Sequence, residues 1–419
     1  MNTPETDPAR MSVPTLEGAD RGADPTQLAR RDDFDREVWN VFGAPIDAMG
    51  VAEATAAVEA AVRARRKLAF VTPNLNMLCA ARRDPAARAD IIAHDLSLAD
   101  GAPIVWLARF LGAPVRERVA GSDLFDALRR RAAPRSRKIK TFFFGGRPGA
   151  AEAAHAALNA DRGGGLQSVG WFNPGYGGMD ELSRREAIDA INAAAPDFVV
   201  VALGAARGNE WIIRNAKMLE APVIAHLGAV VDFTAGSIAR APKPLARMGL
   251  EWLWRISQEP SLWRRYWRDG LDLLSLLAIN AAPLAFTSSP RSGASAEARV
   301  GVEEGVAVVR LSGDHLNGDL DAARAAFRDA VASGCDVALD FSRLGALDAA
   351  FAGQVLMLEK SIAKSGARLF SLGLSRALRR RLARTGLNIA ELSDKTPAEA
   401  AHRPDSAPQR NVAAPRQSA

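Results

Sequence analysis

The chain has 419 residues, 48% of them hydrophobic and 24% charged, enough for two or three domains with sizeable cores. Its two cysteines, Cys79 and Cys335, exclude a disulfide framework or a four-cysteine zinc site and favour a reducing compartment. Lys and Arg outnumber Asp and Glu by 54 to 48, a net charge of +6 that suits phosphate or membrane-surface partners and does not by itself imply nucleic acid.

Residues 1–38 are rich in Pro, Asp, Gly and Arg without periodicity and predict a disordered leader with no secretory signal. Residues 39–270 read as one domain, in which apolar strand-like runs alternate with helical patterns from about Val41 to Leu227. Strands are expected at Leu68–Thr72, Lys140–Phe144, Phe198–Leu203 and Val223–Leu227. Helices are expected at Ala52–Arg66, Asn76–Arg82, Gly149–Asn159 and Asp180–Ala194. Strands apolar on both faces between helices mean an α/β fold built on a parallel sheet.

Between Arg240 and Gly270 the composition shifts to seven basic residues against three acidic ones, with four of the eight tryptophans. Residues 271–298 then hold an apolar stretch, Leu271–Phe286, and a polar linker, Thr287–Glu297, expected not to pack. The apolar stretch is too short and too interrupted for the roughly 18–20 residues of a membrane span. Residues 299–392 read as a small βαβαβα unit. Its strands are at Val306–Leu311, Asp336–Phe341 and Ala367–Leu372, and its helices at Leu320–Ala332, Phe351–Lys364 and Arg376–Thr385. Few contacts are expected between the two units, and residues 393–419 read as a disordered tail.

No histidine pair has metal-ligand spacing, and Asp33-Phe34-Asp35 and Asp319-Leu320-Asp321 do not follow core strands, so neither a metal nor a cofactor is expected. Phe144-Gly145-Gly146-Arg147-Pro148-Gly149 is a strand–turn–helix passage that either cradles a phosphate or merely turns tightly. Thr72-Pro73-Asn74 and Leu98-Ala99-Asp100-Gly101 follow strand ends, where ligands gather in parallel sheets. Their side chains suit sugar hydroxyls and proton removal, or helix capping and turning. The interleaved Trp and Arg residues fit either a core helix or one lying among lipid headgroups.

Several pieces carry a resemblance in their order. They are Thr72-Pro-Asn74, Leu98-Ala-Asp100-Gly101, Glu117-Arg118-Val-Ala-Gly121-Ser-Asp123-Leu and Phe144-Gly145-Gly146-Arg-Pro-Gly149. Then follow Leu227-Gly228-Ala-Val-Val-Asp232-Phe-Thr-Ala-Gly236, Arg240-Ala-Pro242, Gly249-Leu-Glu251-Trp252-Leu-Trp-Arg255, and Glu259-Pro260 with Arg264-Arg265-Tyr266. Together they resemble the WecG/TagA/CpsF glycosyltransferase family over residues 45–267. The resemblance implies a Rossmann-like fold and metal-free, inverting transfer from a UDP-sugar to an undecaprenyl-diphosphate-linked acceptor in exopolysaccharide or other surface-polysaccharide synthesis. It implies Asp100 as general base and Thr72 and Asn74 as sugar-binding residues. Gly145, Gly146, Arg207, Asp232, Arg240, Arg255, Arg264 and Arg265 become the candidates for the nucleotide and diphosphate. It further implies a cytoplasmic protein held peripherally at the inner membrane face.

One departure stands out. Where the family typically has Pro-Lys-Gln-Glu, this chain reads Ala206-Arg207-Gly208-Asn209, which removes a polar anchor. Residues 299–390 resemble a STAS domain through Val337-Ala-Leu-Asp340-Phe-Ser, Leu347-Asp348-Ala349-Ala350-Phe351-Ala-Gly353 and Gly366-Ala-Arg-Leu-Phe. Regulatory STAS relatives carry a phosphorylated Ser at the place of Ala349, so the domain is expected to dock a protein partner without a phosphoester. The alternative function is a catalytically inactive relative that acts as a scaffold through this domain.

Overall fold

The computed structural model describes residues 32–131, 137–239, 241, 242, 245, 250–285 and 292–392. The chain opens with a hairpin, β1 (Val38–Val41) and β2 (Ala44–Asp47), then α1 (Val51–Arg63), β3 (Leu68–Val71), α2 (Leu75–Arg83), α3 (Pro85–Ala93) and β4 (Leu96–Ser97). Next come α4 (Ala102–Phe110), α5 (Gly121–Arg130), β5 (Ile139–Gly145), α6 (Ala150–Ala160) and β6 (Leu166–Phe172). They are followed by α7 (Met179–Leu182), α8 (Arg185–Ala193), β7 (Phe198–Ala202), α9 (Ala205–Asn215), β8 (Val223–His226) and α10 (Gly228–Thr234).

Strands β3 to β8 form one parallel sheet in the order β4-β3-β8-β7-β5-β6. Alternate side chains leave its two faces. Phe70, Phe143, Phe198 and Val200 pack with α1, α5, α6 and α10, whereas Phe144, Val199 and Val201 pack with α8 and α9. Burial on both faces is why these strands read as continuous apolar runs. The result is the expected Rossmann-like α/β sheet, with Thr72, Asp100, Gly145 and Leu227 along its carboxyl edge.

After this sheet come α11 (Glu251–Gln258) and α12 (Trp263–Leu276), which runs through a π-helical turn at Leu277–Ala281 into α13 (Ala282–Ala285). Inner-face residues of this rod bind α2: Asn76 Nδ2 donates to Asp269 at 2.9 Å and Arg82 to Asn280 at 3.0 Å. No described helix is long and apolar enough to cross a membrane.

The C-terminal unit comprises β9 (Glu297–Glu303), β10 (Val306–His315), α14 (Asp321–Ala332), β11 (Asp336–Leu347), α15 (Ala349–Ala363), β12 (Leu369–Leu372), α16 (Arg376–Arg384) and β13 (Ala390–Glu391). Its sheet runs β13-β12-β11-β10-β9, parallel except at β9. The expected βαβαβα core is present, with an unexpected strand added at each edge. Asp348 caps α15 by accepting from the N–H groups of Ala350 and Phe351, both at 2.9 Å.

Four expectations need correction. The helix expected over Asp180–Ala194 is two helices, broken at Ser183–Arg184. The leader is ordered from Asp32: Phe34 is buried beside Phe327, and Arg36 binds Asp33 and Asp47 at 3.1 and 2.8 Å. The linker packs from Ser292 onward, because the Asp314 carboxylate accepts from the N–H groups of Ser292 and Gly293 at 3.0 and 2.9 Å. Residues 1–31, the first part of the linker and the tail from Ser393 lie outside the described residues.

The fourth correction is the largest. Instead of few contacts between the units, one apolar core joins Trp39, Phe42, Ile46, Leu78 and Ile104 to Phe327, Phe351 and Leu356. Helix α15 is buried along nearly its whole length because the β1–β2 hairpin lies across it. Around that core, Lys360 Nζ reaches Asp33 at 2.7 Å and Asp95 at 3.3 Å, and Arg88 donates to Glu359 at 2.9 Å.

Candidate active site

The ends of β3 and β4 bring two of the sequence motifs together. Asp100 N–H donates to the Pro73 carbonyl at 3.0 Å, so Asp100 stands beside the Thr72–Asn74 turn. Thr72 is buried next to Gly121 at the start of α5. Asn74 caps α2, its Oδ1 accepting from Met77 N–H at 3.1 Å, so its carbonyl oxygen serves the helix and its amide nitrogen is the group left for a ligand.

Burial pushes the Asp100 carboxyl up to about 7; Arg118 opposes the shift, Glu251 and Asp123 add to it, and Arg255 opposes it. The Asp100 side chain accepts no hydrogen bond from a described residue. It is held near neutrality by its surroundings, which is where a general base works best at physiological pH.

Arg118 is the clamp of this region. Its guanidinium joins Glu251 at the head of α11 and Asp123 in α5, the latter at 2.7 Å. The same contact ties the basic C-terminal segment to the sheet edge. Arg118 and Glu251 lie inside motif pieces of the sequence but had no assigned role; their opposite charges were the available signal.

A second cluster surrounds the turn after β5. Gly146 adopts φ +96° and donates its N–H to the Ala202 carbonyl at 2.7 Å, while a Cβ on Gly145 would stand 2.7 Å from that same oxygen. The glycines therefore let β5 end tightly against β7, and the Gly146 N–H is spent on the protein itself. Arg147, the next residue, points to a cleft shared with Ser237, Arg255, Gln258 and Glu259, and pairs with Glu259 at 3.1 Å.

Burial raises the Asp232 carboxyl, with Arg147 and Arg255 pulling it down and Glu259 pushing it up. Arg255 also lies 5.7 Å from the Phe233 ring centroid. Arg255 lines the cleft and bears electrostatically on both Asp100 and Asp232. Arg147 is the cationic residue that the sequence reading passed over.

The other candidates spread out. Arg264 is exposed over the Trp263 ring and Arg265 is half-buried over the Tyr266 ring, both on α12. Arg207 donates to the Gly177 carbonyl at 3.1 Å, a contact on the α9 side of the sheet. Arg240 lies outside the described residues. Among the described residues no three His, Cys, Asp or Glu side chains are grouped to hold a metal ion.

The altered segment, residues 206–209, lies in the first turns of α9. A Cβ at Gly208 would stand 2.1 Å from Cδ2 of His226, so the imidazole fills the space that a side chain at 208 would need. Burial pulls His226 down to about 4, leaving it neutral. Beside it in sequence on α9, buried Asn209 has no hydrogen-bond partner for Oδ1 among the described residues.

A doubly wound parallel sheet whose carboxyl edge carries a carboxyl raised to about 7, with Arg147 and Arg255 lining a cleft at that edge, is the arrangement of a group-transfer enzyme of the Rossmann-like class. Residues 39–284, more than half of the chain, match the glycosyl transferase WecG/TagA/CpsF family, and the chain belongs to it. It is 30% identical over 196 residues, 47% of this chain and 73% of the relative, to the N-acetylglucosaminyldiphosphoundecaprenol N-acetyl-beta-D-mannosaminyltransferase of Bacillus spizizenii strain W23. Residues 298–393 match the family described as Mlab, STAS domain. The solved anti-sigma factor antagonist SpoIIAA in its unphosphorylated form is 20% identical, covering 25% of this chain and 96% of that one, with a TM-score of 0.21.

Proposed function

We propose that the protein is an inverting glycosyltransferase that moves a sugar from a UDP-sugar to an undecaprenyl-diphosphate-linked acceptor without a metal. Its product would enter a bacterial exopolysaccharide or cell-surface polysaccharide. The observation that carries the reading is Asp100, held at about 7 beside the Thr72–Asn74 turn and within electrostatic reach of Arg118 and Arg255. N-acetylmannosamine is the proposed sugar, by similarity to the Bacillus relative.

In this reading the acceptor hydroxyl gives its proton to the Asp100 carboxylate as its oxygen bonds to the anomeric carbon. The bond from that carbon to the diphosphate oxygen breaks, and its electron pair leaves with UDP. One displacement inverts the configuration. Arg147 and Arg255 in the cleft stabilise the charge of the departing diphosphate. Thr72 and the Asn74 amide hold sugar hydroxyls.

The exposed row Trp263, Trp267, Leu271 and Leu274 on α12 suits docking at the cytoplasmic membrane face, where a lipid-linked acceptor resides. The STAS-like domain first serves the transferase itself, since its α15 is covered by residues 34–47.

Asn209 favours the second reading, an inactive scaffold, because its buried Oδ1 is unpaired where the polar anchor is lost. An assay of the full chain with UDP-N-acetylmannosamine and N-acetylglucosaminyl-diphosphoundecaprenol separates the two. Transfer that falls about 10²–10⁴-fold in Asp100→Asn supports the enzyme and the base assignment. No transfer by the folded, unmodified protein supports the scaffold. EDTA should leave the rate unchanged; inhibition reversed by Mg²⁺ or Mn²⁺ would overturn the metal-free mechanism.

A further inference from the structure

Helix α16 (Arg376–Arg384) reads RALRRRLAR, with five arginines and no acidic residue in nine positions. Its inner row is Leu378 and Leu382, which join the shared apolar core. Residues 376, 380 and 384 lie two positions from that row, about 200° around the helix, and so share the opposite face. Arg376 and Arg380 are exposed and Arg384 half-exposed, and none of the three forms an ion pair with a described residue. Arg379, on the flank, is neutralised by Glu391.

The position of α16 gives this row a context. Asn280 in the π-helical turn donates Nδ2 to the Arg384 carbonyl at 3.0 Å, while Arg82 of α2 donates to Asn280 Oδ1. The end of α16 is thereby fixed against the rod α12–α13. That rod has the same two-sided construction. Asp269, Leu276 and Asn280 face inward, whereas Trp263, Trp267, Leu271 and Leu274, spaced four or three apart, form an exposed apolar row. Ile279 adds a further exposed apolar side chain one turn beyond, next to Asn280.

We propose that α16 of the STAS-like domain and the apolar row of α12 form one surface for anionic phospholipid. The Trp and Leu side chains enter the headgroup boundary, and Arg376, Arg380 and Arg384 bind lipid phosphates beside them. The charge argues for this occupant. A row of arginines without ion pairs to described residues, on a helix whose end is fixed to the rod that carries the apolar row, matches a surface that is anionic above and hydrocarbon below. The proposal rests on the membrane docking proposed for α12 and assigns the lipid class and the second contributing domain. It also makes the STAS-like domain part of how the enzyme meets its membrane.

The test is co-sedimentation of the full chain with phosphatidylcholine vesicles, with and without phosphatidylglycerol. Binding should require phosphatidylglycerol. Arg376→Gln/Arg380→Gln/Arg384→Gln should weaken it by on the order of 100-fold, about fivefold per charge removed. The corresponding triple Lys variant should bind as the unmodified protein does, and circular dichroism should be unchanged in both. Trp267→Ser/Leu274→Ser should weaken binding independently. If the Trp/Leu variant loses binding and the Gln variant does not, α16 has no lipid role and this inference falls alone. If neither variant loses binding, the docking role of α12 falls with it. Equal binding to neutral and anionic vesicles would also overturn the lipid class.

Discussion

Gly353 of α15 lies directly beneath the backbone of Val38: a Cβ at 353 would stand 2.0 Å from the Val38 carbonyl oxygen and 2.6 Å from its carbon. The C-terminal domain's buried helix and the first strand of the chain are therefore in backbone contact. Gly353→Ala must push the hairpin off the helix, and overpacking of this kind costs about 1–3 kcal/mol. Chemical denaturation of the full chain checks this, with an unchanged midpoint as the outcome that refutes the contact.

The same contact reverses the expected behaviour of the separated halves. A chain ending at Ala285 would leave Trp39, Phe42 and Ile46 without Phe351 and Leu356. We expect such a chain to aggregate and the full chain to unfold in one cooperative transition. Two transitions by calorimetry, with a soluble and active shortened chain, would show the halves to be independent after all.

Acid should loosen the same seam. Burial alone would raise Asp33, but Lys360 and Arg36 together hold it at about 2. Its folded value lies below the ordinary 3.8, so the stability it contributes is present above 3.8 and is lost as pH falls from there through 2. Asp33→Asn leaves Lys360 buried with less compensation and should cost about 3 kcal/mol at neutral pH. That loss should shrink on acidification. A pH-independent difference between the two proteins would exclude the ionic account.

Asp100 has the opposite sign. Its folded value of about 7 exceeds the ordinary 3.8, so on its account stability falls as pH rises through that window and levels off above it. Asp100→Asn should therefore be more stable than the unmodified protein at pH 8, by about 1–3 kcal/mol, with the gap closing toward pH 4. In the unmodified enzyme kcat/KM should rise with pH through about 7, the limb being the ionisation of Asp100. A flat profile from pH 5 to 8 would remove it as the base.

His226 and Gly208 should behave as a matched pair. Gly208→Ala places a methyl group 2.1 Å from the imidazole and should destabilise by about 1–3 kcal/mol. His226→Ala vacates that space, so the double variant should recover most of the loss. A coupling below about 0.5 kcal/mol in the double-mutant cycle would mean the two do not share the space.

The sequence by itself determined the parallel sheet, because strands buried on both faces must be continuously apolar and their helices amphipathic. It also determined the Thr72–Asn74 turn as a strand end, since chain order places it just after an apolar run, and Asp100 through the turn Leu98-Ala99-Asp100-Gly101 alone. The short partners were not legible. β4 has two residues and β13 two, too few for any periodicity, and β9 was hidden at the end of a polar linker whose Ser292 and Gly293 are held by Asp314. Only the tertiary structure decided that Arg118 joins Glu251 to Asp123, that Gly146 spends its N–H on Ala202, and that the imidazole of His226 fills the space beside Gly208. Only the tertiary structure, too, turned residues 32–38 at the end of the supposed leader into an ordered segment. Phe34, Arg36 and Val38 meet Phe327, Met357 and Gly353, about 300 residues away, and local pattern carries no information about contacts at that separation. Apolar periodicity is read from a residue's own neighbours in sequence, whereas the burial, charge, space and partners of a side chain are set by whatever the folded chain brings beside it.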